Sequence, residues 1–548
     1  MTTFEGPPVA LARGIGARTL GGFLLEVVDR FGSNEALVFD DPLLGGRTAR
    51  WTYEQLGRQS WRVAGALMAA GVRPGVRVGI LMGNRPEAVI AFFGATLAGA
   101  TAVLMSTFSA PAELEYLIDH SGTQVLLTQS KLLGRTLPKE IESLETPSLE
   151  TVAAVGEGWE EFLAGGTTIG DGELRARANG VRPEDPGSIV YSSGTTDRPK
   201  GILHANGAPS LQFWIQAQVF GRHPRTRMWT ALPMFWTAGL NTGMGATLAA
   251  GGCWVMQETF QPEEALRLIE RERVTEPYTL PHQTAALVEL PEWETADLSS
   301  LKNVFGKSAF ARHSSVKGDP AWNSPVGYGL SETCSIFATH YSDDPRELLK
   351  HSTGRLLPGN RLRVIDPGSG RLLGPGEAGE LAVAGPTLME HYVGKTPDEC
   401  FDDEGFFHTG DAGWFDEAGF LHWTGRRSEM IKTAGANVSP AEIEVALRAF
   451  RPAKLARVIG RPDPRLGEIV VLCLVLRDGE HATADDVRSF LRERLAAYKV
   501  PTEILFLSDG EVPMTSSDTK VRDDELRRII DARLDTSRAL QTPENSHR

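Results

Sequence analysis

The sequence contains few cysteines for its length. Its 548 residues include four, which are widely scattered: Cys253, Cys334, Cys400 and Cys473. No pair has the Cys-x-x-Cys spacing, so the sequence predicts neither a disulfide framework nor a zinc site. Each cysteine is expected to be a small core residue of a protein in the reducing cytoplasm. The first residues also lack the basic region and apolar core of a signal peptide.

Positive charge and long apolar runs are scarce as well. Lysine and arginine number 56 against 70 acidic residues, and the net charge of −14 disfavours a nucleic-acid partner because its phosphates would be repelled. One stretch, 88–105, is long and uncharged enough to suggest a membrane span. Gly94 and Gly99 interrupt it. The pattern instead predicts a helix that begins near Pro86, ends at Gly99 and is followed by a buried strand over 100–104.

The GxxxxGK[ST] pattern of the ordinary P-loop NTPases is absent, yet another phosphate loop is present. Residues 191–201 read Tyr-Ser-Ser-Gly-Thr-Thr-Asp-Arg-Pro-Lys-Gly and directly follow the apolar stretch 188–190. Glycine lets the backbone approach an anion, successive N–H groups and hydroxyls donate hydrogen bonds, and Lys200 adds a mobile charge. The sequence therefore predicts a phosphate-binding loop at the end of a strand, with a polar surface loop as the competing interpretation.

The pattern of predicted elements changes along the chain. The first ~180 residues and the region after the phosphate loop alternate helical and strand patterns, which is typical of a layered α/β fold. In the second region, 304–306 and 326–329 are predicted to end strands, and their glycines make them candidates for one ligand crevice. Short strands with Gly, Pro and Asp turns predict a small β-rich subdomain at about 354–425. After Gly425 the pattern indicates a compact α+β domain.

Five motifs follow one another in a fixed order. They are the phosphate loop, Tyr-Gly-Leu-Ser-Glu at 328–332, Phe-His-Thr-Gly-Asp at 407–411, Gly-Arg-Arg-Ser-Glu at 425–429 and a lysine loop at 513–522. Nearly the whole chain thereby resembles the adenylate-forming superfamily, which includes acyl- and aryl-CoA ligases, luciferases and the adenylation domains of peptide synthetases. The resemblance implies an N-terminal AMP-binding domain, a hinge and a small mobile C-terminal domain, at 1–425, 426–430 and 431–548.

The resemblance also assigns contacts with ATP. The segment 306–309 is similar to the one that lies along the adenine, and Asp411 matches the acid that accepts hydrogen bonds from the ribose hydroxyls. A structural segment and an ordinary turn aspartate are the competing interpretations. The implied nucleotide-binding set is Ser192, Ser193, Gly194, Thr195, Thr196, Lys200, Ser308, Ala309, Tyr328, Gly329, Ser331, Asp411, Arg426 and Lys520.

Three residues, Lys520, Glu332 and Thr195, are implied to be catalytic. Glu332 would hold the Mg²⁺ that bridges the nucleotide, which suits the preference of magnesium for carboxylate oxygens together with substrate phosphates. A solvated acid at a helix N-terminus is the competing interpretation of Glu332. Lys520 would stabilise the negative charge that gathers when a carboxylate attacks ATP. A solvated lysine is the alternative for Lys520, and Lys499 is its nearest rival.

The segment 232–239 matches the family segment that borders the acid, with tryptophan at 236 in place of histidine. It contains no aspartate to pair with a substrate ammonium, so an α-amino acid is disfavoured and an apolar acid, fatty or aromatic, is favoured. The implied acid pocket contains Phe235, Trp236, Gly306 and Gly329. The implied CoA tunnel contains Gly435 and Trp236, and Glu429 marks the hinge. Packing in the core is the alternative role of Trp236.

The sequence therefore predicts an AMP-forming acid–thiol ligase that uses ATP, Mg²⁺ and CoA. A luciferase-like enzyme that stops at the acyl-adenylate is the alternative. A nucleotide-binding protein without catalysis is the second alternative, because Asp197 and Lys307 replace family glycines and the longer loop before Lys520 lacks one. The protein is expected in the cytoplasm, with small molecules as its partners and without a transmembrane segment, and homodimerisation is left open.

Overall fold

The computed structural model describes residues 3–109, 111–192, 199–306, 308–426, 431–433, 436–438, 440–463, 465–495, 499–515 and 521–541. The α-helices are α1 Leu20–Phe31, α2 Tyr53–Ala69, α3 Pro86–Leu97, α4 Pro111–Ser121, α5 Leu137–Glu142, α6 Trp159–Gly165, α7 Asp171–Asn179, α8 Gly207–Val219, α9 Ala246–Ala249, α10 Pro262–Arg271, α11 Pro281–Val288, α12 Arg346–Leu349, α13 Pro440–Leu447, α14 Ala484–Arg492 and α15 Asp523–Gln541.

The strands are β1 Thr3–Glu5, β2 Glu35–Asp41, β3 Arg47–Thr52, β4 Arg77–Leu81, β5 Thr101–Leu104, β6 Val125–Gln129, β7 Thr151–Val155, β8 Pro186–Ser192, β9 Lys200–Ala205, β10 Arg227–Thr230, β11 Cys253–Met256, β12 Glu276–Pro277, β13 Gly327–Leu330, β14 Ser335–Thr339, β15 Arg355–Leu356, β16 Arg361–Ile365, β17 Gly379–Ala384, β18 His391–Tyr392, β19 Phe407–Phe415, β20 Leu421–Arg426, β21 Ile431–Thr433, β22 Ala436–Val438, β23 Ala453–Asp463, β24 Gly467–Leu476 and β25 Glu503–Phe506.

Two mainly parallel sheets form the centre of the N-terminal region. One has the strand order β18-β9-β8-β5-β4-β6-β7, and the other has the order β12-β10-β11-β2-β3. Strands β8, β5, β4, β6 and β7 pair in parallel, whereas β9 and β18 form an antiparallel edge. The helices α1, α2 and α3 pack on these sheets through buried side chains such as Phe23, Leu67 and Phe92. This arrangement confirms the predicted α/β class.

Two smaller sheets follow the parallel sheets along the chain. The strands β13, β14 and β15 form an antiparallel sheet, and β1, β16, β17, β19 and β20 form a second one within and beside the predicted β-rich range. The N-terminal strand β1 joins β16, and Phe4 stacks on Phe415 with ring centroids 4.1 Å apart. The C-terminal region has its own sheet of β22, β21, β24, β23 and β25, against which α13, α14 and α15 pack.

The predicted helix and strand in the apolar stretch 88–105 are confirmed as α3 and β5. Gly99 ends the helix with φ +75°, a conformation that glycine adopts without strain. Within the part of the chain that the structure describes, no helix is long and apolar enough to cross a bilayer. Three of the four cysteines, Cys253, Cys334 and Cys473, are buried, while Cys400 is half-buried.

Two local predictions are wrong. Residues 304–306 do not end a strand, since no strand is assigned to this described segment. The segment 326–329 is predicted to end a strand, but it contains the beginning of one, because β13 covers Gly327–Leu330 and is the first strand of an antiparallel hairpin with β14. Short apolar runs with glycine look alike in parallel strands, antiparallel strands and loops, so the pattern alone does not distinguish them.

Candidate active site

A cavity of about 1550 Å³ lies where the elements of the predicted motifs meet. Its wall includes the ends of β8 and β9, the hairpin of β13 and β14, and residues 407–410 of β19. Thr515 and Arg522, from the C-terminal region, also line it. The tertiary structure thus brings segments that are more than 300 residues apart in the sequence to one cleft.

The two ends of the phosphate loop lie in this wall. Strand β8 ends at Ser192, which pairs with Lys200 at the beginning of the antiparallel strand β9. The ammonium of Lys200 lies 5.3 Å from the ring centroid of Tyr392. A cation over an aromatic face is attracted by the quadrupole of the ring, so Tyr392 helps to direct this charge. Five residues of this loop lie outside the described residues. They are the predicted nucleotide contacts Ser193, Gly194, Thr195 and Thr196, together with Asp197, which replaces a family glycine.

Glu332 lies in the turn between β13 and β14 and faces the same cavity. Its Oε1 accepts a hydrogen bond of 2.8 Å from the Tyr392 hydroxyl, and its backbone carbonyl accepts one from Met389 N at 2.8 Å. The competing interpretation, an acid at a helix N-terminus, is wrong because the local structure is a β-hairpin. The side chain is half-buried and lines the cavity, so a ligand in the cleft can reach it.

Tyr328 and Asp411 form the opposite part of the site. The Tyr328 hydroxyl donates to Asp411 Oδ2 at 2.8 Å, and Asp411 is only 1% exposed. Asp411 also lies opposite Arg426 in the β19–β20 register. Tyr328 and Gly410 line the cavity, whereas Asp411 lies behind them. The buried hydrogen bond fixes the direction of the Asp411 carboxylate.

The segment 306–309, which is predicted to lie along the adenine, is connected to the cavity wall through the preceding residue, Phe305. Ser308 folds back on Phe305, with its Oγ and N donating to the Phe305 carbonyl at 2.7 and 2.8 Å. Phe305 is part of the described cavity wall, while Gly306, Ser308 and Ala309 are not. Lys307 lies outside the described residues.

Aromatic rings cover two sides of the cavity. On one side, Phe108 contacts Phe235 and Trp236, with centroid distances of 5.4 and 6.2 Å. On the other side, Tyr278 lies between Phe220 and Phe305, at 6.2 and 6.0 Å. All six aromatic residues line the cavity. Aromatic walls of this kind favour flat apolar ligands.

A segment of π-helix, Ala238–Gly245, begins directly after Trp236 and Thr237. Its first residue, Ala238, lines the cavity, and the small side chain leaves room beside Trp236. Insertions of π-helix occur frequently at functional sites because they redirect the side chains at their ends. The prediction that the segment 232–239 borders the cleft therefore agrees with the position of Leu232, Phe235, Trp236 and Ala238 in its wall.

Two family models match the chain. A model described as AMP-binding enzyme matches residues 24–393, and one described as AMP-binding enzyme C-terminal domain matches residues 442–518. The chain belongs to the AMP-binding enzyme family. The indoleacetate–CoA ligase of Aromatoleum aromaticum is 32% identical over 482 residues, which cover 87% of this chain and 93% of that protein.

Solved structures of AMP-binding enzymes have the same fold. The crystal structure of the anthranilate CoA ligase AuaEII in complex with anthranoyl-AMP superposes with a TM-score of 0.78 and 26% identity, covering 93% of this chain and 97% of that one. The structure of ATP-bound MatB from Rhodopseudomonas palustris gives a TM-score of 0.74 and 25% identity, covering 93% and 98%. The resemblance predicted from the motifs is confirmed.

The C-terminal lysine of this AMP-binding enzyme lies outside the described residues, but the chain on both sides of it is described. Met514 and Val521 form an isolated antiparallel bridge, so the chain leaves and returns at one point. Thr515 and Arg522 line the cavity, and the described wall does not include the rival Lys499. The two described residues that flank the segment with Lys520 on either side, Thr515 and Arg522, thus lie at the cleft. Glu429 and Gly435, the predicted hinge and tunnel residues, also lie outside the described residues.

Sequence reasoning missed two residues of the site, Tyr392 and His204. Tyr392 lies on the two-residue strand β18, which is too short to give a pattern in the sequence. His204 is 1% exposed beneath the hairpin turn, and its Nε2 lies 2.9 Å from the Ser331 carbonyl oxygen. A neutral ring with its proton on Nε2 donates to that carbonyl. A histidine inside an apolar strand such as β9 is the one signal that could have indicated a buried polar contact.

Because His204 is buried, its contact with the hairpin turn is sensitive to acid. Burial lowers the pKa of His204 to about 4, because the charged ring would lose its hydration. The folded protein therefore binds this proton less readily than the unfolded chain, and the stabilising contribution is complete above pH ~6.5 and is lost as the pH falls towards 4. Between pH 7 and pH 5 we expect His204 to reduce the free energy of unfolding by about 2 kcal/mol.

Denaturant unfolding of the wild type and of His204→Gln at both pH values measures this effect. The variant should lose less stability than the wild type between pH 7 and pH 5. His481→Gln, which changes an exposed histidine, is the control and should follow the wild type. Equal pH dependence of all three proteins would contradict the assignment of a buried neutral His204.

Proposed function

We propose that the chain is an AMP-forming acid–CoA ligase whose acid carries an aromatic ring. One observation carries the proposal. A single cleft combines the ends of the phosphate loop, the Glu332 carboxylate and two aromatic walls. Relatives in the same family with an aromatic acid in their names, the indoleacetate–CoA ligase and the anthranilate CoA ligase, support the choice of an aromatic over a fatty acid.

The chemistry requires two steps in one site. A carboxylate resists nucleophiles because its oxygen leaves poorly and its charge repels them. In the first step a carboxylate oxygen attacks the α-phosphorus of ATP, the bond to pyrophosphate breaks, and an acyl-adenylate forms. In the second step the CoA sulfur attacks the acyl carbon, its thiol proton is released, and the bond to AMP breaks to leave the thioester. Both steps need charged phosphates to be held in a fixed orientation.

The residues present fit a magnesium ion held together with nucleotide phosphates. No group of three or more His, Cys, Asp or Glu side chains that could hold a metal exists within the described part of the chain. Magnesium does not need such a group, since it commonly takes one or two carboxylates and completes its shell with phosphates and water. Glu332 would hold it, with Tyr392 directing the carboxylate. Bound there, Mg²⁺ would neutralise phosphate charge.

Nucleotide orientation is proposed to depend on the residues at the two ends of the cleft. Lys200, whose ammonium lies over Tyr392, and Ser192, its partner in the strand pair, are the proposed phosphate contacts, and their positions in the cleft wall support this role. Asp411, held by the Tyr328 hydroxyl, is the proposed acceptor for the ribose hydroxyls, and Arg426 is its neighbour across the strand pair. Gly329 and Ser331 lie in the cavity wall between these two ends.

Lys520 is proposed to act from the C-terminal domain. The position of Thr515 and Arg522 in the cleft wall supports a closed arrangement for the first step. We further propose that the domain boundaries are 1–425 and 431–548, that the hinge is at 426–430 about Glu429, and that rotation brings Gly435 towards the acceptor path. Limited proteolysis with and without ATP tests the boundaries, because an exposed hinge is cut first.

Trp236 is proposed to determine which acids fit. Together with Phe108 and Phe235 it lines both the large cavity and a smaller neighbouring cavity of about 230 Å³. Trp236→Ala should join the two spaces and raise the kcat/KM of a two-ring acid relative to a one-ring acid by about tenfold. Kinetics with both acids measure the ratio, and Trp61→Ala, outside the described wall, is the control. An unchanged ratio would assign Trp236 to core packing.

A half-reaction screen tests the whole proposal. Pyrophosphate release is measured with aryl acids and with fatty acids, and AMP release is measured with and without CoA. A ligase of aromatic acids should release pyrophosphate with the aryl acids and make thioester only with CoA. Pyrophosphate without thioester would indicate an enzyme that stops at the acyl-adenylate. No pyrophosphate with any acid would indicate a nucleotide-binding protein.

A cytoplasmic location and a possible homodimer are proposed separately. Four cysteines without close spacing fit a reducing cytoplasm, and subcellular fractionation tests this. Sedimentation of the purified protein distinguishes a monomer from a homodimer.

A further inference from the structure

We propose that helix α4 holds both ends of the phosphate loop, and that Tyr116 and His120 on this helix are positioning residues for the ATP-dependent first step. This inference rests on the proposed function. It concerns the two chain ends at Ser192 and Lys200, from which the loop starts and to which it returns. Neither Tyr116 nor His120 belongs to the motifs that identify the family.

Each end of the loop is attached to α4 by a side-chain hydrogen bond. The Tyr116 hydroxyl donates to the Pro199 carbonyl oxygen at 3.2 Å, and Pro199 directly precedes Lys200. His120 Nδ1 lies 3.0 Å from the Tyr191 hydroxyl, and Tyr191 directly precedes Ser192. The two contacts therefore hold the residues immediately next to the loop ends.

The two positioning side chains support each other. Tyr116 and His120 are four residues apart and so lie on one face of the helix. Their rings stack with centroids 4.9 Å apart and an interplanar angle of 28°. The same turn of the helix contributes the Leu117 carbonyl, to which the Tyr191 hydroxyl can donate at 3.4 Å. Because a rigid helix carries these contacts, the spacing between the loop ends cannot change without breaking one of them.

Gly201, the last residue of the loop motif, fits this arrangement. A Cβ at this position would come within 3.1 Å of Tyr191 Cζ and within 2.9 Å of Val393 Cγ2. The absence of a side chain lets the Tyr191 ring lie against the backbone of β9 while its hydroxyl reaches α4. The requirement for glycine here is therefore steric, and it comes from the close packing of both Val393 and Tyr191 against this position.

The helix also shares a hydrophobic cluster with the segment that orients Glu332, since Leu114 and Leu117 of α4 are buried in the same cluster as Val393. Val393 N donates to the Gly201 carbonyl at 2.8 Å, and Val393 directly follows Tyr392, the residue that donates to Glu332. Glu113 and Leu117 of α4 themselves line the cleft. The helix thus joins the phosphate-loop ends and the Tyr392–Glu332 pair in one packed unit.

Both positioning contacts are made by uncharged groups. Burial and the nearby Arg77 lower the pKa of His120, so its ring is neutral at neutral pH. Burial raises the pKa of Tyr191, so its hydroxyl keeps its proton. Neutral contacts hold the chain without placing another charge beside ATP.

Paired substitutions test the inference on the full-length protein. Tyr116→Phe removes one hydroxyl and keeps the ring. His120→Phe keeps a stacked ring but removes Nδ1, whereas His120→Asn replaces it with a polar atom at a similar distance. Tyr341→Phe, a half-buried tyrosine outside the described cavity wall, is the control. Thermal unfolding checks that all variants are folded.

The primary measurement is binding of a non-hydrolysable ATP analogue compared with binding of AMP. Tyr116→Phe and His120→Phe should each weaken analogue binding about tenfold, the scale of one lost hydrogen bond. They should leave AMP binding nearly unchanged, because AMP has only the α-phosphate and lacks the β- and γ-phosphates that the loop is proposed to hold. His120→Asn should restore most of the loss. Adenylation should fall in parallel, and thioester formation from supplied acyl-adenylate should not.

Three results would overturn the positioning role: equal weakening of AMP and analogue binding, an effect no larger than that of Tyr341→Phe, or no difference between His120→Asn and His120→Phe. Failure of the proposed function is a separate observation. A wild type that binds the analogue but forms no acyl-adenylate would overturn the ligase proposal, while the binding ratios would still decide the role of α4.

Discussion

Lys520→Ala should lose about 10²-fold or more in the adenylation half-reaction, the scale seen when one preorganised electrostatic donor is removed. Its ammonium is proposed to act while negative charge gathers between the attacking carboxylate and the α-phosphate. When the variant is supplied with acyl-adenylate and CoA, it should make thioester at a rate close to that of the wild type. The proposed rotation of the C-terminal domain has by then carried position 520 away from the cleft.

Single-turnover measurements of both half-reactions check this expectation. Lys499→Ala is the comparison, because Lys499 is the rival lysine and lies outside the described cavity wall. It should retain both activities. Equal losses of Lys520→Ala in the two steps would indicate that Lys520 is structural or that no rotation occurs. A loss confined to Lys499→Ala would transfer the role to that residue.

Glu332→Gln should reduce adenylation by about 10²-fold and raise the Mg²⁺ concentration needed for half-maximal rate. The amide keeps the shape and can still meet Tyr392, but it removes the negative charge that a divalent cation requires. Since the half-buried side chain keeps its shape and its hydrogen bond with Tyr392, the free energy of unfolding should change by less than about 1 kcal/mol.

Magnesium titrations of the adenylation rate measure the effect. Glu347→Gln is the matched control, because it makes the same change in a side chain that is 77% exposed and paired with Lys350. Tyr392→Phe should give a smaller loss than Glu332→Gln, since it removes only the hydrogen bond that directs the carboxylate. A Glu332→Gln variant with unchanged rate and unchanged Mg²⁺ dependence would remove Glu332 from the site.

Helix α3 could be predicted from the sequence, whereas the local structure around Glu332 could not. Helix α3 could be predicted because Pro86 and Gly99 mark its ends, and local backbone preferences act within a few residues. The motif at 328–332 could be recognised as well, but its local structure could not be predicted. It forms part of β13 and of the turn of a β-hairpin. Strand partners are distant in the sequence, so a short segment contains no information about the direction of its neighbour.

The contacts of Glu332 and Asp411 depended on the tertiary structure. Tyr392, 60 residues after Glu332, is brought to it by pairing of the short strand β18 with β9. Tyr328 reaches Asp411 across 83 residues of sequence. A motif can indicate the carboxylate, but the donor that directs it comes from another sheet and follows no spacing rule.

The α/β class, the order of the motifs and the family could be read from the sequence alone, and the phosphate-binding role of the loop after β8 is still a prediction. These properties depend on local backbone preferences and on residue types at fixed spacing, which a linear chain displays directly. The hydrogen bond from Tyr392 to Glu332, the aromatic rings in the cleft wall and the contacts of Tyr116 and His120 beside the loop ends are visible only in the tertiary structure. Such contacts arise when packing brings together segments that are distant along the chain, and the free energy of packing depends on all of them at once.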